Sequence, residues 1–119
     1  TIKRMGAGYI CKLEKGPRVQ GHVPSVNVLF DSVASEAGSG AIGIVLTGMG
    51  RDGAIGLRAM RDAGALTACQ DEATSLIYGM PGAAVAEGAV SVQLPVSDIP
   101  AFILRNLATR QAAKQRVGA

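Results

Sequence analysis

The sequence predicts an α/β domain of alternating strand-helix units on a largely parallel, doubly wound sheet, incomplete at its N-terminal side. Three observations predict it. Apolar runs of strand length alternate with stretches of helical period, and short glycine-bearing turns separate them. One run, residues 41–46, is apolar on both faces, as a central strand covered from both sides must be. The core material is small (Ala, Val, Ile, Leu and Gly), with aromatics at only 3% and no Trp, which suits helices packed closely on a sheet.

Residues 1–8 are basic and glycine-bearing and show no clear period. Residues 9–13, Tyr-Ile-Cys-Lys-Leu, read as a short strand closed by a turn at Lys15, Gly16 and Pro17. Ser25 follows Pro24 as a helix N-cap, and Val26, Leu29, Phe30 and Val33 then recur at helical spacing to about Ala37. Gly38 to Gly40 ends that helix. After the apolar strand comes a turn over 48–53, then a helix over 54–63 with Ala54, Leu57 and Met60 on one face and Gly64 as its stop. Residues 66–70 form the next strand and 71–79 a loop. Pro81 stands in the first turn of a helix that ends at Gly88. Residues 90–94 alternate as a half-buried edge strand, and Ser97 caps a final helix carrying Ile99, Phe102, Ile103 and Leu107.

Composition excludes several classes. Hydrophobic residues make up 48% and charged residues 18%, the balance of a packed core and the opposite of a disordered chain. A length of 119 residues fits one domain or part of one. No apolar run is long enough to span a membrane, so membrane insertion is not expected. The net charge of +3 concentrates near the start and in 105–119, which reads as a basic helical tail. Such a tail can serve a nucleic-acid or membrane adaptor. Here no aromatics are interleaved for base stacking, and cations suit the negative end of a helix, so no nucleic-acid partner is expected. Cys11 and Cys69 have neither metal-type spacing nor a disulfide framework. Both lie among apolar residues and read as small buried hydrophobes of a reducing, cytoplasmic setting. No cofactor is expected. The chain starts at Thr1 with no Met or signal-peptide pattern, as a fragment would.

Chemistry in open α/β sheets gathers beyond the carboxyl ends of strands. Residues 47–54, Thr-Gly-Met-Gly-Arg-Asp-Gly-Ala, hold that position after the most apolar strand. Their glycines allow a sharp turn and leave amides such as that of Met49 pointing outward. Asp52 stands where the next helix begins, which favours its ionised form. Spacing alone leaves two readings open, a functional carboxylate or a plain N-cap on a tight turn. A phosphate loop fits poorly, because no Gly-Lys-Ser/Thr follows and a carboxylate would repel phosphate. Ser25, His22 and Asp52 do not make a convincing triad. Ser25 already serves as a cap, and no Gly-x-Ser-x-Gly elbow occurs. Ser75 has no histidine near it in sequence.

Four blocks in order carry a resemblance: residues 21–30 (Gly-His-Val-Pro-Ser-Val-Asn-Val-Leu-Phe), 43–54, Gln70-Asp-Glu with Tyr78-Gly-Met-Pro, and Gly88-Ala-Val. Together they resemble the catalytic domain of the CheB-type protein-glutamate methylesterases of bacterial chemotaxis, from about Gly8 to Pro100. The whole chain, 1–119, is then the carboxyl-terminal part of such a domain. The resemblance implies a serine hydrolase that demethylates glutamate methyl esters, and often deamidates glutamines, on cytoplasmic segments of methylated chemoreceptors. It implies that Asp52 is the acid of a Ser-His-Asp triad and that Met49 gives its backbone N–H to the oxyanion hole. The family's serine and histidine lie upstream of the part matched here, and His22 matches a different block. The chain alone is therefore expected to be inactive, with an exposed sheet edge where further strands would pair. In the complete enzyme, Asp52→Asn is expected to cut turnover and spare folding. Full-length relatives often add a phospho-receiver domain over the active site. The alternative is a non-catalytic truncated relative acting as a protein-interaction domain.

Overall fold

Three strands in parallel register set the frame on which everything else is placed. The computed structural model describes residues 1–18 and 23–118, with side chains as far as Thr109. In chain order the elements are β1 (Ile2–Met5), β2 (Gly8–Cys11), α1 (Val26–Glu36), β3 (Ile42–Val45), α2 (Ala54–Asp62), β4 (Leu66–Gln70), α3 (Met80–Ala86), β5 (Val92–Leu94) and α4 (Ile99–Gly118). Short 3₁₀ turns at Gly38–Gly40 and Val96–Asp98 lead into β3 and α4. The parallel sheet has the order β3-β4-β5, with Ile44 beside Ala68 and Cys69 beside Gln93. Helices α2 and α3 connect its strands and pack against β3, β4 and one another.

The expected α/β alternation is present, with two corrections. Residues 1–11 form an antiparallel hairpin apart from the parallel sheet, with Met5 opposite Gly8 and a two-residue turn at Gly6 (φ +59) and Ala7. The strand expected over 9–13 is β2, every residue of which is exposed, while β1 falls in a stretch that showed no period. Cys11, expected inside, is therefore on the surface. Second, β3 is an edge of the described sheet and β4 is its centre. The apolar faces of β3 still have a use: Val45 is buried, and Gly43 lets α2 approach. A Cβ at residue 43 would stand 2.6 Å from Leu57 Cδ1 and 2.9 Å from Met60 Cε.

Leu57 and Met60 of α2 are fully buried with Val45, Ala65, Cys69, Ala84 and Ala89, and Phe30, Val33 and Met80 close around them. Burial of such side chains contributes about 1.5–3 kcal/mol each for the larger ones. Two arginines of α2 tie α3 down: Arg58 donates to the Glu87 carbonyl at 3.0 Å and Arg61 to that of Gly88 at 2.9 Å, satisfying acceptors at the helix end. Gly64 (φ +96) and Gly88 (φ +72) take the left-handed stops expected of them. Ser97, expected as a cap, lies inside the 3₁₀ turn before α4, whose Ile99 and Phe102 are buried.

Burial, with the Asp71 charge second, pushes the Cys69 thiol from an ordinary value of 9.0 up to about 11. A thiol with a raised folded value keeps its proton after the unfolded chain has ionised. The contribution of this thiol to stability is thus level below about pH 9 and falls as pH rises toward about 11. Denaturant unfolding across that window should show a shallower decline for Cys69→Ala than for the parent chain; equal slopes would contradict the assignment.

Candidate active site

The turn from β3 to α2 is shaped by glycines and anchored by polar side chains from elsewhere in the chain. Gly50 (φ +95) and Gly53 (φ +98) adopt left-handed backbone that other residues take only with strain. Between them Asp52 is 6% exposed. Its carboxylate does not serve α2, the helix it precedes. It turns to the N-terminus of α1: Oδ2 accepts the Val26 N–H at 2.6 Å, and Oδ1 accepts the Asn27 N–H at 3.0 Å and the Ser25 hydroxyl at 2.9 Å. Two expectations change here. Ser25 holds the N-cap position with extended backbone (φ −118°, ψ 134°), but its side chain makes no bond into its own helix. Asp52 caps that helix in its place, because a carboxylate is the stronger acceptor for helix N-terminal amides.

The exchange runs both ways. Asn27, in the first turn of α1, is also 6% exposed. Its Oδ1 accepts the Gly53 N–H at 3.0 Å and the Gly56 N–H at 2.8 Å, the orphan donors of α2. The two helix N-termini thus cap each other. Gly56 permits the contact, since a Cβ there would lie 2.7 Å from Phe30 Cβ and 3.0 Å from Asn27 Cα. Asn27 itself carried no sequence signal of this role: it stood in the 21–30 block as a lone amide in an apolar stretch.

Further up the same turn, Met49 is 77% exposed, and among the described residues its N–H has no hydrogen-bond partner. Its neighbours are fixed. Gly48 donates to the Ile77 carbonyl at 3.0 Å and accepts from the Met80 N–H at 2.8 Å. Thr47 exchanges bonds with the backbone of Ile77, and its N–H reaches the buried Gln70 Oε1 at 2.8 Å. Gln70 in turn donates to the Thr74 carbonyl at 2.7 Å. Gly79 lies so close that a Cβ would meet the Gly48 carbonyl at 2.7 Å and the Gly50 nitrogen at 3.1 Å. The turn is therefore held from two sides while its Met49 face stays open.

Other candidates fall away. Cys69 is buried with a raised value, the reverse of a reactive thiolate. Ser75 donates to the Asp71 carbonyl at 2.6 Å and sits in a loop turn. Ser25 bonds Asp52 directly, which leaves no place for a base between them. His22 lies outside the described residues. Among the described residues no His, Cys, Asp and Glu group could hold a metal ion, and no helix is long and apolar enough to cross a membrane.

A model of the CheB methylesterase family matches residues 1–103. The chain belongs to that family. A protein-glutamate methylesterase/protein-glutamine glutaminase of Anaeromyxobacter dehalogenans is 58% identical over 104 residues, covering 87% of this chain and 29% of that protein. One from Burkholderia pseudomallei is 49% identical over 116 residues, covering 98% of this chain and 32% of its own. The CheB methylesterase catalytic domain of Thermotoga maritima superposes with a TM-score of 0.83 at 28% identity, covering 87% of this chain and 55% of that one. The chain thus spans under a third of the length of these curated relatives. The CheB fold places the Met49–Asp52 turn at the carboxyl end of a parallel strand, the position where α/β hydrolytic groups gather.

The capping role revises the expectation that Asp52→Asn spares folding. An amide keeps one acceptor oxygen and turns an NH2 toward a backbone donor, which costs about 1–3 kcal/mol. Urea unfolding of the chain should show that loss, and an unchanged midpoint would contradict the capping geometry.

Proposed function

We propose that this chain supplies the acid and part of the oxyanion hole to a CheB-type serine hydrolase that demethylates glutamate methyl esters on chemoreceptors. The observation that carries the reading is the placement of Asp52. A buried carboxylate, held by Val26, Asn27 and Ser25, sits three residues from the exposed Met49, within a stretch the family model matches. In this reading the nucleophile and base come from the part of the protein that precedes the matched segment in the family. Asp52 accepts the Nδ1–H of the histidine, fixes its tautomer and stabilises the imidazolium without taking its proton. The serine attacks the ester carbonyl, the tetrahedral oxygen receives the Met49 N–H, and methanol leaves with the proton that the histidine returns. Water then releases the glutamate. A glutamine side chain would lose ammonia by the same steps.

The setting follows from the same reading. The protein is cytoplasmic, and its substrate is a cytoplasmic segment of a methylated receptor. A receiver domain in the full-length protein covers the site until phosphorylated, and residues 105–119 form a basic helical tail on the domain. The 119-residue chain alone hydrolyses nothing. A second reading, a protein-interaction domain, is favoured by the apolar side chains of Leu46, Met49, Leu76 and Ile77, which are exposed on two adjoining segments.

The readings part in a chimera whose Anaeromyxobacter methylesterase carries residues 1–103 of this chain in place of its own matching segment. The proposal expects ester turnover by the chimera and none above buffer by the isolated chain. Asp52→Ala should lower turnover per folded molecule by about 10⁴-fold. Full turnover per folded molecule in that variant would leave Asp52 as a cap only.

A further inference from the structure

We infer that Asn27 is the positioning residue for Asp52, setting the acid through the backbone of the turn that carries it; the inference rests on Asp52 being the triad acid. A buried side-chain amide costs free energy unless its polar atoms are bonded, so its presence in the first turn of α1 needs a use. Asn27 meets the acid twice. Its N–H donates to Asp52 Oδ1 at 3.0 Å, and its Oδ1 accepts at 3.0 Å from Gly53, the residue joined to Asp52 by a peptide bond. Carboxylate and main chain of Asp52 are thereby clamped to one residue. The second acceptance, from the Gly56 N–H at 2.8 Å, extends the clamp into α2.

The turn needs such a clamp because of its own composition. Gly50 and Gly53 supply the left-handed backbone, but glycine gives the least conformational restraint of any residue. A triad acid must hold its histidine closely, since a misplacement of about 1 Å costs about 10²-fold in rate. Restraint therefore has to come from outside the turn. The Asn27 side chain supplies an acceptor that neither an aliphatic side chain nor alanine can offer. Aspartate retains it.

The test uses the chimera described above, with turnover counted per active site by titration of the serine. Asn27→Ala, and the closely sized Asn27→Leu, should lower kcat by about 10–100-fold at temperatures where the protein is fully folded, with KM within about twofold. Asn27→Asp should restore most of kcat, which a role in bulk packing alone would not predict. A kcat within about twofold of the parent for Asn27→Leu, alongside an inactive Asp52→Ala, would overturn the inference and leave the triad reading standing. An active Asp52→Ala would overturn the triad reading and this inference with it. Hydrogen exchange on the unsubstituted chain needs no variant to fold: the Gly53 and Gly56 amides should exchange as slowly as those of β4, and fast exchange at either would overturn the clamp.

Discussion

Each of two helix N-termini in this protein finds its acceptor on the other helix's side of the contact. The first amides of a helix have no partner within it, and most proteins satisfy them with a residue just before the helix. Here Asp52, next to α2, bonds the amides of α1, and Asn27, inside α1, bonds those of α2. Neither helix is complete without the other. The close backbone approach at Gly56 follows, as does the packing of Phe30 and Val33 against the cluster around Leu57 and Met60. The direction in which the β3 turn leaves the sheet is set by the same four bonds.

Much of this fold was legible in the sequence because it obeys local rules. The period of Val26, Leu29 and Phe30, the glycine stops at 64 and 88, and Pro81 in a first turn each act within a few residues, and the helices lie where they indicate. The strand at Leu66–Gln70 was equally plain. The hairpin at the start was legible only in its second strand, expected over 9–13 and found at Gly8–Cys11; β1 is largely exposed and lies in a stretch with no clear period. The capping exchange was not legible. Asp52 directly before a helix reads as that helix's cap, and only the fold brings it to residues 26 and 27. Ser25 misled for the same reason, being at the right position with its hydroxyl engaged elsewhere.

The candidate site combines a rigid part and an open part. Asp52 is buried and held by donors from Ser25, Val26 and Asn27, while Met49, two residues beyond Thr47, is exposed on a turn pinned by Gln70, Ile77 and Gly79. In the proposed reading these features have a common purpose, one holding a histidine and the other receiving an oxyanion. The physics of the turn stands without that purpose. A charged acceptor facing helix amides, an amide clamp and interleaved glycines are each explained by the geometry they satisfy.

The mutual capping of α1 and α2 is the claim on which the rest depends, and a double-mutant cycle on stability measures it. Asn27→Ala and Asp52→Ala remove acceptors on opposite sides of the contact, yet each loosens the turn through which the other acts. Their combined destabilisation, from urea unfolding of the chain, should fall short of the sum of the single losses by about 1 kcal/mol or more. Additivity within about 0.5 kcal/mol would mean that the two caps act independently, and would contradict the account.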